Sequence, residues 1–260
     1  MKNDGKSASI GFFGAGKMAE GILSAIEDRG SVVMAEKNPV RADELRRRYG
    51  VRVVEDVKIV AAEAECIFLA VRPQDVETVA AAVKPTLRKG QTLVSIVAGR
   101  TVAGLRKAFG SKARIIRVMP NLALRAKAGM CALTAKDATV ERILGAAGAT
   151  VVLKEKDFDA VTALSGSGPA YFAYMAEAMS EGGIALGLKP AVARLLAEQT
   201  MYGTAKFLLE SGIDLKTFID GVSTKGGTTA AGMKHLSAVT FKRTVAKTLA
   251  AAAKRSKELG

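Results

Sequence analysis

Two kinds of cluster in this chain have residue types suited to chemistry: glycine-bounded turns that leave backbone N–H groups open, and hydroxyl residues set beside such turns. The first cluster is Gly14-Ala15-Gly16-Lys17-Met18-Ala19, which follows the apolar run Ile10-Gly11-Phe12-Phe13. In this G-x-G-x-x-A pattern Gly14 permits a tight turn, Gly16 lets the backbone approach a pyrophosphate, and Ala19 keeps the next helix close to the strand. A helix beginning near Met18 aims unpaired N–H groups and the positive end of its dipole at phosphate. The chemistry this pattern suits is the holding of a dinucleotide; a merely structural glycine turn fits the same residues. Glu36 stands about 20 residues beyond Gly14, where a ribose-binding acid is expected. A carboxylate there accepts hydrogen bonds from the ribose 2′-OH and repels a 2′-phosphate, which favours NADH over NADPH. Lys37 and Arg41 reverse that preference if Glu36 turns outward, and Glu36 also fits a solvated loop acid.

The second kind of cluster lies in the C-terminal half. Residues 163–171 read ALSGSGPAY and residues 222–232 read VSTKGGTTAAG. Gly226-Gly227 followed by Thr228 and Thr229 and then a helical stretch makes a small anion pocket from helix-start N–H groups and hydroxyl donors. A substrate carboxylate fits it, with one hydroxyl left for a ring nitrogen; simple helix capping by Thr fits the same residues. Between the two clusters, Ala70-Val71-Arg72-Pro73 and Ala98-Gly99 each end an apolar run. Ligands of open α/β sheets sit outside such strand ends. Asn121 in Met119-Pro120-Asn121 is placed either to orient nicotinamide or substrate or to close a plain turn. The one histidine, His235, lies nearly two helical turns past Thr229 and reads as structural. No metal-ligand spacing occurs, and no metal is expected.

These residues need elements to position them. From residue 9 to about 153, short apolar runs at 10–13, 32–35, 66–71, 92–97, 115–119 and 151–153 alternate with helical stretches at 18–29, 39–49, 76–87 and 102–108. That alternation predicts an α/β domain with a doubly wound, mostly parallel sheet of the Rossmann type. Beyond residue 157 the amphipathic stretches 171–186, 190–211 and 241–258 are uninterrupted by strand-like runs and predict an all-helical domain. The expected division is 1–157 for dinucleotide binding and 158–260 for substrate binding and dimerisation.

Composition limits the alternatives. At 49% hydrophobic residues the 260-residue chain can bury a core. No apolar run approaches the ~20 residues of a membrane span. No apolar stretch precedes Ile10, so no secretory signal is expected, and two cysteines far apart in sequence read as buried thiols in a reducing cytoplasm. The formal charge of +14 raises the question of nucleic acid. The basic residues are scattered, however, and aromatics make up only 5% with no Trp, which leaves no stacking platform. A solvated basic surface that draws in phosphate-bearing cofactors and carboxylates is the expectation.

Residues 10–19 (IGFFGAGKMA), 117–121 (RVMPN), the ALSGSGPAY joint, the GGTT loop and the tail KRSKELG occur in the order found in pyrroline-5-carboxylate reductases, and the chain resembles that family over about residues 9–260. The resemblance implies reduction of 1-pyrroline-5-carboxylate to L-proline with NADPH or NADH, a small imino-acid substrate, and a helical domain that pairs two chains into a homodimer or larger homo-oligomer. By position it implies that Gly11, Phe12, Phe13, Gly14, Ala15, Gly16, Lys17 and Met18 wrap the pyrophosphate. Ala70, Val71, Arg72, Pro73, Ala98 and Gly99 would flank the nicotinamide side. Gly227, Thr228 and Thr229 would hold the substrate, with the Thr229 hydroxyl at the ring nitrogen. The chain departs from the family's usual residues at Lys225 (commonly Pro), at Leu122-Ala123 (Thr-Pro), at Glu36 (a small polar residue) and at Val57 (often Asn). The competing expectations are another two-domain hydroxyacid or imine reductase, and a relative without catalysis.

Overall fold

The computed structural model describes residues 9–259; the opening segment read above for a signal lies outside them, as does Gly260 of the tail motif. The described chain divides into two compact units, one of residues up to Ser167 together with the last turns of the chain from Ala252, the other Gly168–Ala251.

The first unit is built on eight strands: β1 (Ile10–Phe13), β2 (Val32–Ala35), β3 (Arg52–Val54), β4 (Cys66–Leu69), β5 (Thr92–Ser95), β6 (Arg114–Pro120), β7 (Gly129–Leu133) and β8 (Gly148–Val152). They form one sheet in the order β3-β2-β1-β4-β5-β6-β7-β8. Every pairing is parallel except β6 with β7. The order reverses at β1 and β4, so the strand ends there open a crevice at the topological switch point. Helices α1 (Lys17–Ala25), α2 (Pro39–Tyr49), α3 (Val57–Glu63), α4 (Val76–Val83), α5 (Val102–Phe109), α6 (Ala138–Gly145) and α7 (Phe158–Val161) connect the strands and follow them.

Apolar side chains fill both faces of the sheet. One layer contains Phe12 stacked on Phe68 with ring centroids 5.0 Å apart, and the other is centred on Phe13, Ile67 and Leu93. Strands covered on both faces read as continuous apolar runs, which is why the sequence showed them. Both cysteines lie in this interior, and burial pushes the thiols of Cys66 and Cys131 up to about 12, so neither forms thiolate near neutrality. Two strands escape the sequence pattern. The edge strand β3 has three residues and begins with exposed Arg52, and β7 begins at Gly129, a residue that ordinarily weakens a strand. Gly129 is needed there because a side chain would lie 2.4 Å from Leu124 Cδ2.

The second unit is entirely helical, with α8 (Gly168–Ala185), α9 (Pro190–Ser211), α10 (Leu215–Val222), α11 (Thr228–Ala238) and the first part of α12 (Phe241–Leu259). Pro190 opens α9 at its first turn and Gly212 closes it in the left-handed conformation with φ 65°, the expected division of labour for these residues. Few residues of this unit are buried. Phe172, Tyr174, Leu195, Leu196 and Tyr202 each expose at least half of their surface. No described helix is long and apolar enough to cross a membrane.

Candidate active site

The turn after β1 opens a cleft of about 600 Å³ in the first unit, lined among others by Gly14, Ala15, Gly16, Glu36, Ala70, Val71 and Arg72. The structure therefore brings together seven of the residues expected to hold the cofactor, with Lys37 and Val57, also singled out from the sequence, beside them. Gly14 has φ 91°, and a Cβ there would meet the Ala70 carbonyl oxygen at 2.8 Å. Only glycine lets β1 and the end of β4 approach so closely. Gly16 has no heavy atom within 4 Å of the position a Cβ would take, so its cleft side is open. It also serves as N-cap of α1 without a side-chain cap, which leaves first-turn N–H groups directed at that space. The residues present fit a dinucleotide pyrophosphate.

Others of the expected set take different places. Gly11, Phe12 and Phe13 are enclosed in the sheet. Gly11 is required by α3, since a Cβ would lie 2.5 Å from Val60 Cγ1. Any cofactor contact from these three is through backbone. Lys17 is exposed at the start of α1, while Met18 packs against the core. The Arg72 side chain projects to solvent and pairs with Asp75 at 2.9 Å, and Pro73 opens the short turn that follows. Ala98 is exposed. Gly99, at φ 72°, lies under the last turn of α12: a Cβ there would fall 2.4 Å from the Leu259 carbonyl oxygen.

At the end of β2 the Glu36 backbone N–H donates to Val54 O at 2.9 Å, while its carboxylate accepts the Asn38 N–H at 2.8 Å. Only one carboxylate oxygen is used in this way among the described residues, and Val57 lines the same cleft. Nearby is a cluster the sequence did not reveal. Glu20 on α1 is 5% exposed and accepts hydrogen bonds from Arg41 (2.7 Å), Arg48 (2.9 Å) and Tyr49 (2.9 Å) of α2. Burial alone would raise its carboxyl pKa; the hydrogen bonds from Arg41 and Tyr49 and the two arginine charges overcome that and hold it below the ordinary carboxylate value. An acid at the fourth position of a helix reads as a surface residue, and its partners lie too far along the chain for spacing to betray them.

Beyond β6, Asn121 accepts the Met130 N–H at 3.2 Å and reaches Ser165 Oγ at 3.4 Å. Ser165 sits on a single π-turn, Thr162–Gly166, inside the ALSGSGPAY joint. Such turns recur at functional positions. Arg117, 5% exposed, pairs with Glu155 at 3.2 Å and stacks over the Phe158 ring at 4.9 Å. Glu155 in turn accepts the Val102 N–H at 2.8 Å, tying the start of α5 to β6.

In the second unit Gly227 is the N-cap of α11, again without a side-chain cap, and Thr228 and Thr229 open the helix with both side chains exposed. Gly226 takes φ 78°, and a Cβ on Gly227 would lie 2.6 Å from Thr224 Oγ1, so the double glycine is what permits this tight approach. The helix start thus offers uncapped N–H groups and two hydroxyls, the makings of a carboxylate site. Lys225 is exposed beside it, and His235 is exposed in the last turn of the same helix.

Residues 155–259 match the family described as pyrroline-5-carboxylate reductase dimerisation, and residues 9–99 match the family described as NADP oxidoreductase, coenzyme F420-dependent. The pyrroline-5-carboxylate reductase of Synechocystis sp. is 36% identical, covering 98% of this chain and 99% of its own. A solved structure of the Coxiella burnetii pyrroline-5-carboxylate reductase superposes with a TM-score of 0.93 at 30% identity, over 98% of this chain and 99% of the other. That of the Plasmodium falciparum pyrroline carboxylate reductase with NADP bound gives 0.83 at 28% identity, over 97% and 98%. With nearly the whole chain covered by these relatives, the chain belongs to the pyrroline-5-carboxylate reductase family.

Proposed function

We propose that this protein reduces 1-pyrroline-5-carboxylate to L-proline with a hydride from NADPH or NADH, the last step of proline biosynthesis. The observation that carries the reading is the end-to-end identity with a pyrroline-5-carboxylate reductase, 36% over 98% of the chain. The open glycine turn at Gly14–Gly16 and the uncapped start of α11 at Thr228-Thr229 supply binding groups of the right chemistry for the two reactants. Residues 1–157 are assigned the dinucleotide and 158–260 the substrate and the pairing of chains. The protein is assigned to the cytoplasm, with no nucleic-acid partner.

When bound, the reduced nicotinamide supplies the hydride. The substrate's ring nitrogen carries a proton at the outset, so the C=N carbon is already electrophilic. Hydride arrival at carbon moves the C=N π pair onto nitrogen, which becomes the amine of proline and takes a second proton from water. No strongly basic or acidic side chain is required, and the chain's part is positioning. Gly227, Thr228 and the N–H groups of α11 hold the carboxylate. The Thr229 hydroxyl orients the nitrogen and follows its change of charge. Asn121, fixed by Met130 N–H and Ser165, is assigned to orient the reactants.

The test is oxidation of NADH and of NADPH by the purified protein with and without 1-pyrroline-5-carboxylate. Substrate-dependent oxidation is the expected result, and its absence with both cofactors sinks the reading. The same assay addresses Glu36. With its carboxylate at the ribose end of the cleft, a 2′-phosphate meets like charge worth ~1–2 kcal/mol, or roughly tenfold in affinity. NADH should therefore serve at least as well as NADPH, and Glu36→Ser should move the ratio of the two kcat/KM values toward NADPH. An unchanged ratio in the mutant would show that Glu36 does not read the cofactor.

The apolar surface exposed on α8 and α9 is more than an isolated helical unit keeps open to water. Together with the dimerisation family match, it supports a homodimer or larger homo-oligomer. Light scattering at low micromolar concentration should give at least twice the 27.2 kDa chain mass, and a monomer would contradict the assignment.

A further inference from the structure

The guanidinium of Arg41 is shared three ways. Its Nε–H donates to the Ala15 carbonyl at 3.1 Å, Nη2 to Glu20 at 2.7 Å and Nη1 to Glu44 at 2.7 Å. The Arg41 side chain is 21% exposed and that of Glu20 6%. Its sequence position, on the helix that follows the ribose-binding strand, suits a cation that reads a 2′-phosphate. The geometry points elsewhere: we propose that Arg41 is a positioning residue that latches the phosphate-binding turn, holding the Ala15–Gly16 peptide so that the Gly16 N–H faces the cofactor cleft. The proposal rests on the dinucleotide reading of that cleft.

Peptide geometry sets the direction of the Gly16 N–H. Residues 9–259 contain no cis peptide bond, and in a trans peptide the C=O of one residue and the N–H of the next point to opposite sides. Drawing the Ala15 carbonyl toward α2 therefore turns the Gly16 N–H the other way. Gly14 and Gly16 lack side chains that would restrain this peptide, and Gly16 has nothing within 4 Å on its Cβ side. The turn is held on either side, Gly14 N–H by Ala35 O at 3.1 Å and Gly16 O by the Glu20 N–H at 3.0 Å, but no backbone N–H among the described residues reaches the Ala15 carbonyl between them; the Arg41 Nε–H supplies that hold, and it is a charge-assisted one. Glu20 fixes the latch. It sits one turn into α1, and it binds Arg48 and Tyr49 as well as Arg41, so α2 is tied to the helix whose N-terminus faces the phosphates. For Arg41 to swing toward a 2′-phosphate it would have to leave a nearly buried, ionised Glu20, and such a loss is costly.

The test is direct titration of NADH and NADPH binding to Arg41→Lys, with thermal melts and with kcat measured at saturating cofactor. Lysine can keep the ion pair with Glu20 but cannot also hold the Ala15 carbonyl, having a single nitrogen where arginine presents a fork. The expected result is a Tm close to wild type, both dissociation constants raised roughly tenfold, their ratio moved less than about twofold and kcat little changed. The double variant Glu20→Met/Arg41→Met removes the pair without leaving a buried charge, and it should weaken both dinucleotides in the same way. Weakening of NADPH alone would make Arg41 a reader of the 2′-phosphate and overturn the latch. So would unaltered affinities in both variants. A wild-type protein that binds neither dinucleotide overturns instead the cofactor reading on which the latch stands.

Discussion

Gly14→Val should raise the dissociation constant for either dinucleotide by about a hundredfold or more and lower kcat/KM to match, while the protein still folds. Three observations set the size of the effect. Gly14 holds φ 91°, a conformation that costs an ordinary residue ~1–2 kcal/mol and a β-branched one more. The new Cβ would lie 2.8 Å from the Ala70 carbonyl oxygen and 3.0 Å from Val71 Cγ1. The backbone cannot drift away cheaply, because the Gly14 N–H is bonded to Ala35 O at 3.1 Å and the Ala70 N–H to Phe13 O at 2.9 Å. Relief must come from moving the turn into the cleft or the end of β4 out of it, an overpacking cost of typically 1–3 kcal/mol. Together these reach about 3 kcal/mol, equivalent to roughly two powers of ten in affinity. Titration of each dinucleotide, with a thermal melt to show that the mutant folds, is the measurement. Affinities within about threefold of wild type would mean that this turn does not carry the pyrophosphate.

How far the sequence could be read follows from the range over which each feature acts. The β1-turn-α1 unit was legible because its signals are local: four apolar residues, two glycines at fixed spacing and a small residue that packs the helix on the strand. The helical half was legible for a similar reason, since long amphipathic stretches carry their own period. Strand β3 and helix α3 were not, being short elements of three and seven residues whose patterns are too brief to register; α6 and α10 escaped as well, although α4 and α5 of the same eight-residue length were legible. Strand β7 was hidden by its glycine. Gly148 φ 154° and the 2.0 Å that would separate its Cβ from Gly129 O show two glycines used for close strand approach, whereas glycine in isolation reads as a breaker. Glu20 and Arg41 show the harder limit. Arg41 looked available to a 2′-phosphate from its place after β2, and only the fold reveals that Glu20 and the Ala15 carbonyl already engage it. Arg117 carried one legible sign, a charge inside an otherwise apolar strand, but its partner Glu155 lies 38 residues on.

Thr229→Ala should leave stability and dinucleotide binding intact and lower kcat/KM for 1-pyrroline-5-carboxylate by roughly tenfold or more, a loss on the order of 1.4 kcal/mol. The separation of effects follows from where the hydroxyl sits. Thr229 is the second residue of α11, exposed, and among the described residues its hydroxyl makes no hydrogen bond. Removing it costs the fold no partner, and alanine is the better helix former by a few tenths of a kcal/mol. The melting temperature should hold or rise slightly. Any fall in rate then reports on the hydroxyl alone. A hydroxyl that donates to the ring nitrogen interacts more strongly as that nitrogen gains a lone pair in passing from iminium to amine, so the loss should appear in kcat and not solely in KM. Thr228→Ala is the matched comparison, because its hydroxyl is assigned to the carboxylate, whose charge does not change during the reaction. That variant should raise KM with little change in kcat. If Thr229→Ala shows the KM effect alone, the two hydroxyls share the carboxylate and the nitrogen is oriented by something other than this helix start; if it shows no effect, the assignment of Thr229 is wrong.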